Sequence, residues 1–106
     1  MPKYLFEISY TAQGARGLLA QGGSARRAAI AAGIEQAGGK LEAFYFAFGG
    51  TDAYVIAEHE GNVTAAAQAL AVAASGAATV RTVVLLTPEE LDAASERDVS
   101  YTPPGS

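Results

Sequence analysis

His59 is the only histidine in this sequence, and its side chain could take part in more kinds of chemistry than any other residue here. Its imidazole could act as a general base or as a metal ligand, with Glu58 and Glu60 beside it as carboxylate support. One histidine without a second ligand nearby is a poor metal site, so we expect an exposed histidine at a strand end. A single-histidine haem or metal site is the alternative. Asp52, in the turn at 49–52, is a second candidate acid or base, or an ordinary hairpin aspartate.

A second chemical group combines glycines, a serine and arginines just before a predicted helix. Free backbone N–H groups at a helix N-terminus, together with arginine side chains, suit a phosphate or a carboxylate. The glycine spacing matches neither a Walker loop nor a dinucleotide-binding fingerprint. The alternative is a helix cap on a mobile loop with solvated arginines. The candidate anion ligands are Gly22, Gly23, Ser24, Arg26, Arg27 and Arg16.

Several polar side chains fall inside predicted strands, where they could face a pocket at a subunit interface. Leaving such groups buried and unpaired costs ~1–3 kcal/mol each, so they need partners. Either a bound small molecule supplies them, or a salt-bridge network between two sheets does, such as Glu7 or Glu42 with Arg81. The strand residues concerned are Glu7, Ser9, Glu42, Tyr45 and Arg81. If a small molecule binds there, Tyr45, Glu42, Arg81 and His59 are the candidates for lining the pocket.

The elements that must position these residues follow the order β-α-β-β-α-β. Alternating apolar residues predict strands, and helical spacing with caps predicts helices. The strands are expected at 3–10, 40–48, 53–60 and 80–86, and the helices at 25–37, 63–74 and 88–95, with a glycine-rich loop at 11–23. This order predicts an α+β, ferredoxin-like fold in which two long helices cover one face of a four-stranded antiparallel sheet. Residues 1–97 form the domain, and 98–106 form an extended tail.

The second and fourth predicted strands carry large apolar residues on both faces. In the second strand, we expect Leu41 and Tyr45 on one face and the phenylalanines at 44, 46 and 48 on the other. Two helices can cover only one face, and a soluble monomer rarely exposes an apolar face of this size. We therefore expect at least a dimer that closes the sheet. The alternative is that the short third helix and the tail fold back over it.

Composition narrows the possible partners and the compartment. The net charge is −4, which disfavours nucleic acid and anionic membranes as partners. The absence of cysteine excludes disulfides and thiol catalysis and fits a reducing compartment. No apolar run reaches the ~20 residues of a membrane span, and strand-like sequence starts at once, so we expect a cytoplasmic protein without a signal peptide.

Motifs spread along almost the whole chain resemble those of the GYD-domain family. They include Pro2, Lys3, Tyr4 and Leu5 at the start, the segments at 39–49 and 85–90, and Val99, Ser100 and Tyr101 near the end. The resemblance implies a dimeric α+β barrel and no established activity or cofactor. The turn that gives the family its name reads Gly50, Thr51 and Asp52 here, so no role of the family's tyrosine carries over.

Three hypotheses for the function follow. The first is a homo-oligomer, possibly a cofactor-free enzyme, that binds a small molecule or an anion at the interface between the sheet and another subunit. The second is a non-catalytic interaction or scaffold module, in which the segment at 22–27 and the tail bind another protein or an anion. The third is the haem or metal protein built on His59.

Overall fold

The computed structural model of the protein describes residues 1–105, in which a four-stranded antiparallel sheet combines with four helices. The elements are β1 (Lys3–Tyr10), α1 (Ala12–Gln21), α2 (Gly23–Gln36), β2 (Lys40–Phe46), β3 (Ala53–Glu58), α3 (Asn62–Ala74), β4 (Ala78–Leu85) and α4 (Pro88–Ser95). The strand order across the sheet is β2-β3-β1-β4. The α+β class predicted from the sequence is confirmed. Ser106, the last residue of the predicted tail, lies outside the described residues.

The alternation along β1 explains why the sheet has one covered face and one open face. Tyr4, Phe6 and Ile8 are buried, and the side chains between them point to the other face. Ile34 of α2 and Ala65 of α3 join these residues in one core cluster, so both helices cover the same face. Burial of each large apolar side chain contributes ~1.5–3 kcal/mol, which favours this side of the sheet for helix packing.

Residues 11–23, predicted as a loop with at most one helical turn, form most of an additional helix, α1. Thr11 caps it, because the Thr11 hydroxyl accepts a hydrogen bond from the Gly14 N–H at 3.2 Å. Gly14 is required by packing, since a Cβ there would overlap the carbonyl oxygen of Ala77. Gly22, with φ of 87°, ends α1 and opens α2. The loop prediction is wrong because it took the glycines as signs of a loop, whereas Gly14 lies inside a helix and allows close packing against Ala77.

This contact predicts opposite effects for two glycine-to-alanine substitutions in α1. Gly14→Ala should lower the free energy of unfolding by ~1–3 kcal/mol, because the new methyl group collides with backbone that cannot rotate away. Gly17→Ala is the matched control: nothing lies within 4 Å of its Cβ position. It should raise stability by ~0.5–1 kcal/mol through helix propensity. Urea unfolding of both variants checks the pair, and equal effects would contradict the close contact.

A β-bulge in β2 changes which of its residues share a face. The register with β3 shifts between Leu41 and Ala43. Leu41 and Phe44 consequently both pack against the core, while Tyr45 lies on the open face and is 71% exposed. The prediction that Leu41 and Tyr45 share a face is wrong, because one extra residue in a strand reverses the alternation. The strand also ends earlier than predicted, at Phe46.

The C-terminal arm, residues 88–105, leaves the sheet and stays exposed along its length. A capping box begins α4, with Thr87 N–H donating to Glu90 Oε1 at 2.9 Å and Glu90 N–H donating to Thr87 Oγ1 at 3.1 Å. The arm does not fold back over the sheet, so that alternative is wrong. Its exposed apolar side chains are Leu91, Val99 and Tyr101. No helix within residues 1–105 has the length and apolarity needed to cross a membrane.

Candidate functional site

One row of side chains crosses all four strands on the open face of the sheet. Tyr45 of β2 is the register partner of Tyr54 in β3, and Tyr54 is the partner of Glu7 in β1. Glu7 is in turn the partner of Arg81 in β4. Directly opposed residues in antiparallel strands have Cβ atoms ~4.5–5.5 Å apart. The register therefore lines up two phenols, a carboxylate and a guanidinium, and we call this set the cross-strand row.

The residues on either side of the cross-strand row differ in polarity. On one side, each strand contributes an apolar residue, and on the other side β1 and β4 contribute hydroxyls. The apolar set is Ala43, Ile56, Leu5 and Val83, and the hydroxyl pair is Ser9 and Thr79. The Ser9 hydroxyl donates to the carbonyl of Gly50 at 3.2 Å. The row thus offers hydrogen-bonding groups next to an apolar strip, an arrangement typical of small-molecule sites.

The charged members of the row have no ionic partners. Within residues 1–105, no ion pair joins Arg81 to Glu7 or to Glu42. The salt-bridge network predicted as the alternative would join the sheets of two copies, so it stays a prediction. Both charged groups are available to a ligand or to a second subunit.

Glu42 lies apart from the row and has a partner of its own. At the bulge of β2, its carboxylate accepts a hydrogen bond from Lys3 Nζ at 2.8 Å, and Glu58 approaches the same nitrogen at 3.6 Å. The hydrogen bond that Lys3 donates to Glu42 raises the pKa of Lys3 above its ordinary value. The structure therefore does not bring Glu42 together with Tyr45 and Arg81, although the sequence analysis grouped them.

Asp52 ties the β2–β3 turn to the end of β1. Its Oδ2 accepts a hydrogen bond from the Tyr10 N–H at 2.8 Å, and its own N–H donates to the Ile8 carbonyl at 2.8 Å. The Ala47 N–H donates to the Asp52 carbonyl at 2.8 Å. These three bonds satisfy backbone groups beyond the strand ends, and they account for an aspartate in this turn on structural grounds.

His59 is fully buried, so the expectation of an exposed strand-end histidine is wrong. Its backbone N–H donates to the Pro2 carbonyl at 3.1 Å, which extends the strand alternation one residue past Glu58. The ring enters the core, with its centroid 6.0 Å from that of Tyr4 and 5.8 Å from that of Phe6. Neither ring nitrogen has a hydrogen-bond partner among the described residues. Burial lowers the pKa of His59, which favours the neutral imidazole.

The structure separates the candidate anion ligands around Gly22. The segment at 22–27 is mostly the first turn of α2 and not a loop. Arg26 lines a cleft between α2 and α3, whereas Arg27 lines a hollow beside β2 together with Gly23 and Ser24. Arg16 lies on α1. A single site holding all of these arginines is not formed by one chain.

Tyr54 belongs to the cross-strand row but is missing from the residues singled out in the sequence. Its signal was present, because alternation in β3 opposes Tyr54 and Ile56 to Val55. What alternation does not give is the register that sets Tyr54 between Tyr45 and Glu7. No group of three His, Cys, Asp or Glu side chains that could hold a metal ion occurs in residues 1–105.

These features define a small α+β protein whose sheet is packed by helices on one face and exposes an ordered polar row on the other. The family model of the GYD domain matches residues 4–94, and the chain belongs to that family. The resemblance noted in the sequence is thereby confirmed. No curated protein and no solved structure matches the chain.

Proposed function

We propose that this protein is a homodimer that binds a small polar molecule between the open faces of two sheets. The strand order β2-β3-β1-β4 and the two helices on one face support a ferredoxin-like topology. In such a dimer, each helix layer faces solvent and the two open faces meet. The observation that carries the proposal is the cross-strand row, because it sets charged groups without ionic partners in the described chain next to an apolar strip on the open face.

The exposed area on this face supports the dimer. Tyr45 is 71% exposed, and Tyr54 and Val83 are each 39% exposed in the single chain. Contiguous exposed apolar patches on soluble proteins commonly mark interaction sites. Each apolar Å² removed from water contributes ~25 cal/mol, so closing this face on a second copy favours association.

The chemistry of the row indicates the class of ligand. The Arg81 guanidinium suits a carboxylate or another anionic group through paired hydrogen bonds. Glu7 suits an ammonium or hydroxyl donor, and the phenols of Tyr45 and Tyr54 can donate or accept. The ligand class that satisfies all of these groups is a small molecule with both an anionic group and a donor, such as an amino acid or a hydroxy acid. Enclosure between two sheets would strengthen each interaction by excluding water.

Substitution of Arg81 tests the ligand site. A thermal-shift screen of amino and hydroxy acids should find compounds that stabilise the wild-type protein. Arg81→Gln should weaken their binding about tenfold or more, because a charge-assisted hydrogen bond is lost. Arg97→Gln removes the same charge from the exposed arm and should bind as the wild type does. Unchanged affinity in Arg81→Gln, with the dimer intact by sedimentation, would contradict the proposed site.

The C-terminal arm favours a second candidate function, that of an assembly module. The arm carries Glu89, Glu90, Asp92, Glu96 and Asp98 but only one basic residue, Arg97. A surface hollow of about 500 Å³ lies between α1 and the end of β2, and its apolar lining includes Leu18, Leu19, Phe46 and Phe48. The helices that border it carry Arg16 and Arg27. Charge and apolar complementarity support docking of one copy's arm in this hollow of another copy.

A charged residue in the arm tests this second candidate. Leu91→Asp should abolish assembly beyond the dimer, because it puts a charge in the middle of the docking surface. Leu70→Asp makes the same change at a similarly exposed position of α3 and should leave assembly unchanged. Light scattering across protein concentration gives the assembly size. If the wild type forms nothing larger than a dimer, the arm does not drive assembly.

A further inference from the structure

The two helices that cover the sheet leave a cleft between them. Its volume is about 340 Å³, which falls within the ~300–1,000 Å³ of typical ligand pockets. Alanines line its rim at Ala29 on α2 and Ala71 on α3, and their side chains are too short to bridge the gap. A smaller apolar space of about 20 Å³ continues the cleft toward the sheet, and the two share Ile8, Ile30, Gln68 and Val72. The cleft therefore has an apolar floor and is open to solvent.

Arg26 lines this cleft and lacks an ionic partner. Its side chain is half-buried, and no carboxylate within residues 1–105 reaches ion-pair distance of it. Removing a charged group partly from water is unfavourable unless an opposite charge or hydrogen bonds compensate. A half-buried, unpaired guanidinium beside a cleft is therefore a natural position for an anion.

Tyr10 supplies a second polar group at the same place. Burial raises the pKa of the Tyr10 phenol, the positive charge of Arg26 opposes this, and the negative charge of Asp52 adds to it. The phenol therefore remains a neutral donor near the guanidinium. Gln68 also lines the cleft, and its amide makes no hydrogen bond within the described chain. Ser75 is already engaged, since its hydroxyl donates to the Val72 carbonyl at 2.6 Å.

We propose that this cleft binds a small amphipathic carboxylate. Its carboxylate accepts hydrogen bonds from Arg26 and Tyr10, and its hydrocarbon chain lies on Ile30 and Val72. A single arginine with a phenol matches the charge and the planar geometry of a carboxylate. The apolar floor disfavours a strongly hydrated phosphate or sulfate. The site lies on the helix side of the sheet, so it is independent of the cross-strand row and of the proposed dimer.

Titration with octanoate, followed by amide chemical shifts, tests the proposal with a neighbouring arginine as control. The wild-type protein should show saturable shifts at Ile30, Val72 and Ala78. Arg26→Gln should weaken octanoate binding about tenfold or more, through loss of the charge-assisted hydrogen bonds. Arg27→Gln removes the same charge one residue along α2, on the side that faces β2, and should change the affinity less than about twofold, since only screened long-range attraction is lost.

Two further measurements separate the specific site from general effects. Octanol has the same chain without the charge and should bind at least about tenfold more weakly than octanoate. Ala71→Phe should abolish binding of octanoate by filling the cleft, while circular dichroism reports whether the fold persists. Arg26→Lys keeps the positive charge but not the planar guanidinium. Its affinity for octanoate should therefore lie between those of the wild type and Arg26→Gln. Equal loss in Arg27→Gln, octanol binding as tight as octanoate, or shifts that map away from the cleft would each overturn the proposal.

Discussion

Val83→Lys is expected to dissociate the proposed dimer while leaving the single chain folded. Val83 lies on the open face beside the cross-strand row and is 39% exposed. In the single chain, a lysine there can extend its ammonium group into water, so stability should change by less than about 0.5 kcal/mol. In the dimer, the ammonium would be buried against the facing sheet, at a cost of several kcal/mol. The dimer dissociation constant should therefore rise about 100-fold or more.

The matched control for this prediction is Val63→Lys. Val63 is 86% exposed in the first turn of α3, on the helix side of the sheet. It receives the same new charge, and its dimer affinity should equal that of the wild type. Sedimentation equilibrium should give a wild-type mass near twice 10.8 kDa and a Val83→Lys mass near that of one chain. A Val83→Lys protein that stays dimeric would exclude this face as the interface.

The parts of the fold that the sequence predicts well depend on local signals. Alternation along β1 and the capping box at Thr87 and Glu90 each involve residues a few positions apart, and both are present. The helix α1 was missed because Gly14 has low helix propensity. The reason for that glycine is its contact with Ala77, which is distant in sequence and visible only in the folded chain.

The cross-strand row also depends on contacts between residues that are distant in sequence, which local patterns do not reveal. Alternation assigns Glu7, Tyr45 and Arg81 to strands, but it does not say which residues face each other. The bulge near Leu41 shifts the β2–β3 register, and that register aligns Tyr45 with Tyr54. Nothing in the local pattern of β2 marks the bulge. The ion pair between Lys3 and Glu42, which lies at the bulge, is likewise not indicated by that local pattern.

The two proposed ligand sites differ in whether they need the dimer. The cross-strand row becomes a pocket only when a second copy covers it, so its affinity should follow the dimer equilibrium. The cleft at Arg26 is complete within one chain, so its affinity should not. Val83→Lys can therefore be used to assign a ligand: a compound that still binds the dissociated variant occupies the cleft, and a compound that no longer binds occupies the row.

His59 is expected to make the protein less stable as the pH falls from 7.5 to 5.5. In the folded chain, burial lowers the pKa of His59, which favours the neutral ring. In the unfolded chain, the imidazole titrates near its ordinary pKa of about 6.5. Near and below that pH, the unfolded state is more fully protonated at His59 than the folded state, so the free energy of unfolding falls as pH is lowered. One pH unit below the unfolded-state pKa the loss can reach at most ~1.4 kcal/mol, and full stability is retained only well above pH 6.5.

Replacement of His59 by apolar residues separates its contribution to the pH dependence of stability from that of other titrating groups. Carboxylates have ordinary pKa values near 4, so most of their titration lies below the interval. Tyr4, whose ring lies against the imidazole, donates its hydroxyl to Asn62 Oδ1 at 2.7 Å. Urea unfolding of His59→Leu and His59→Phe should therefore show nearly equal stability at pH 7.5 and 5.5. Two substitutions of different size are needed because either could leave a void or overfill the core. If both keep the wild-type pH dependence, another group titrates and the buried imidazole is not its origin.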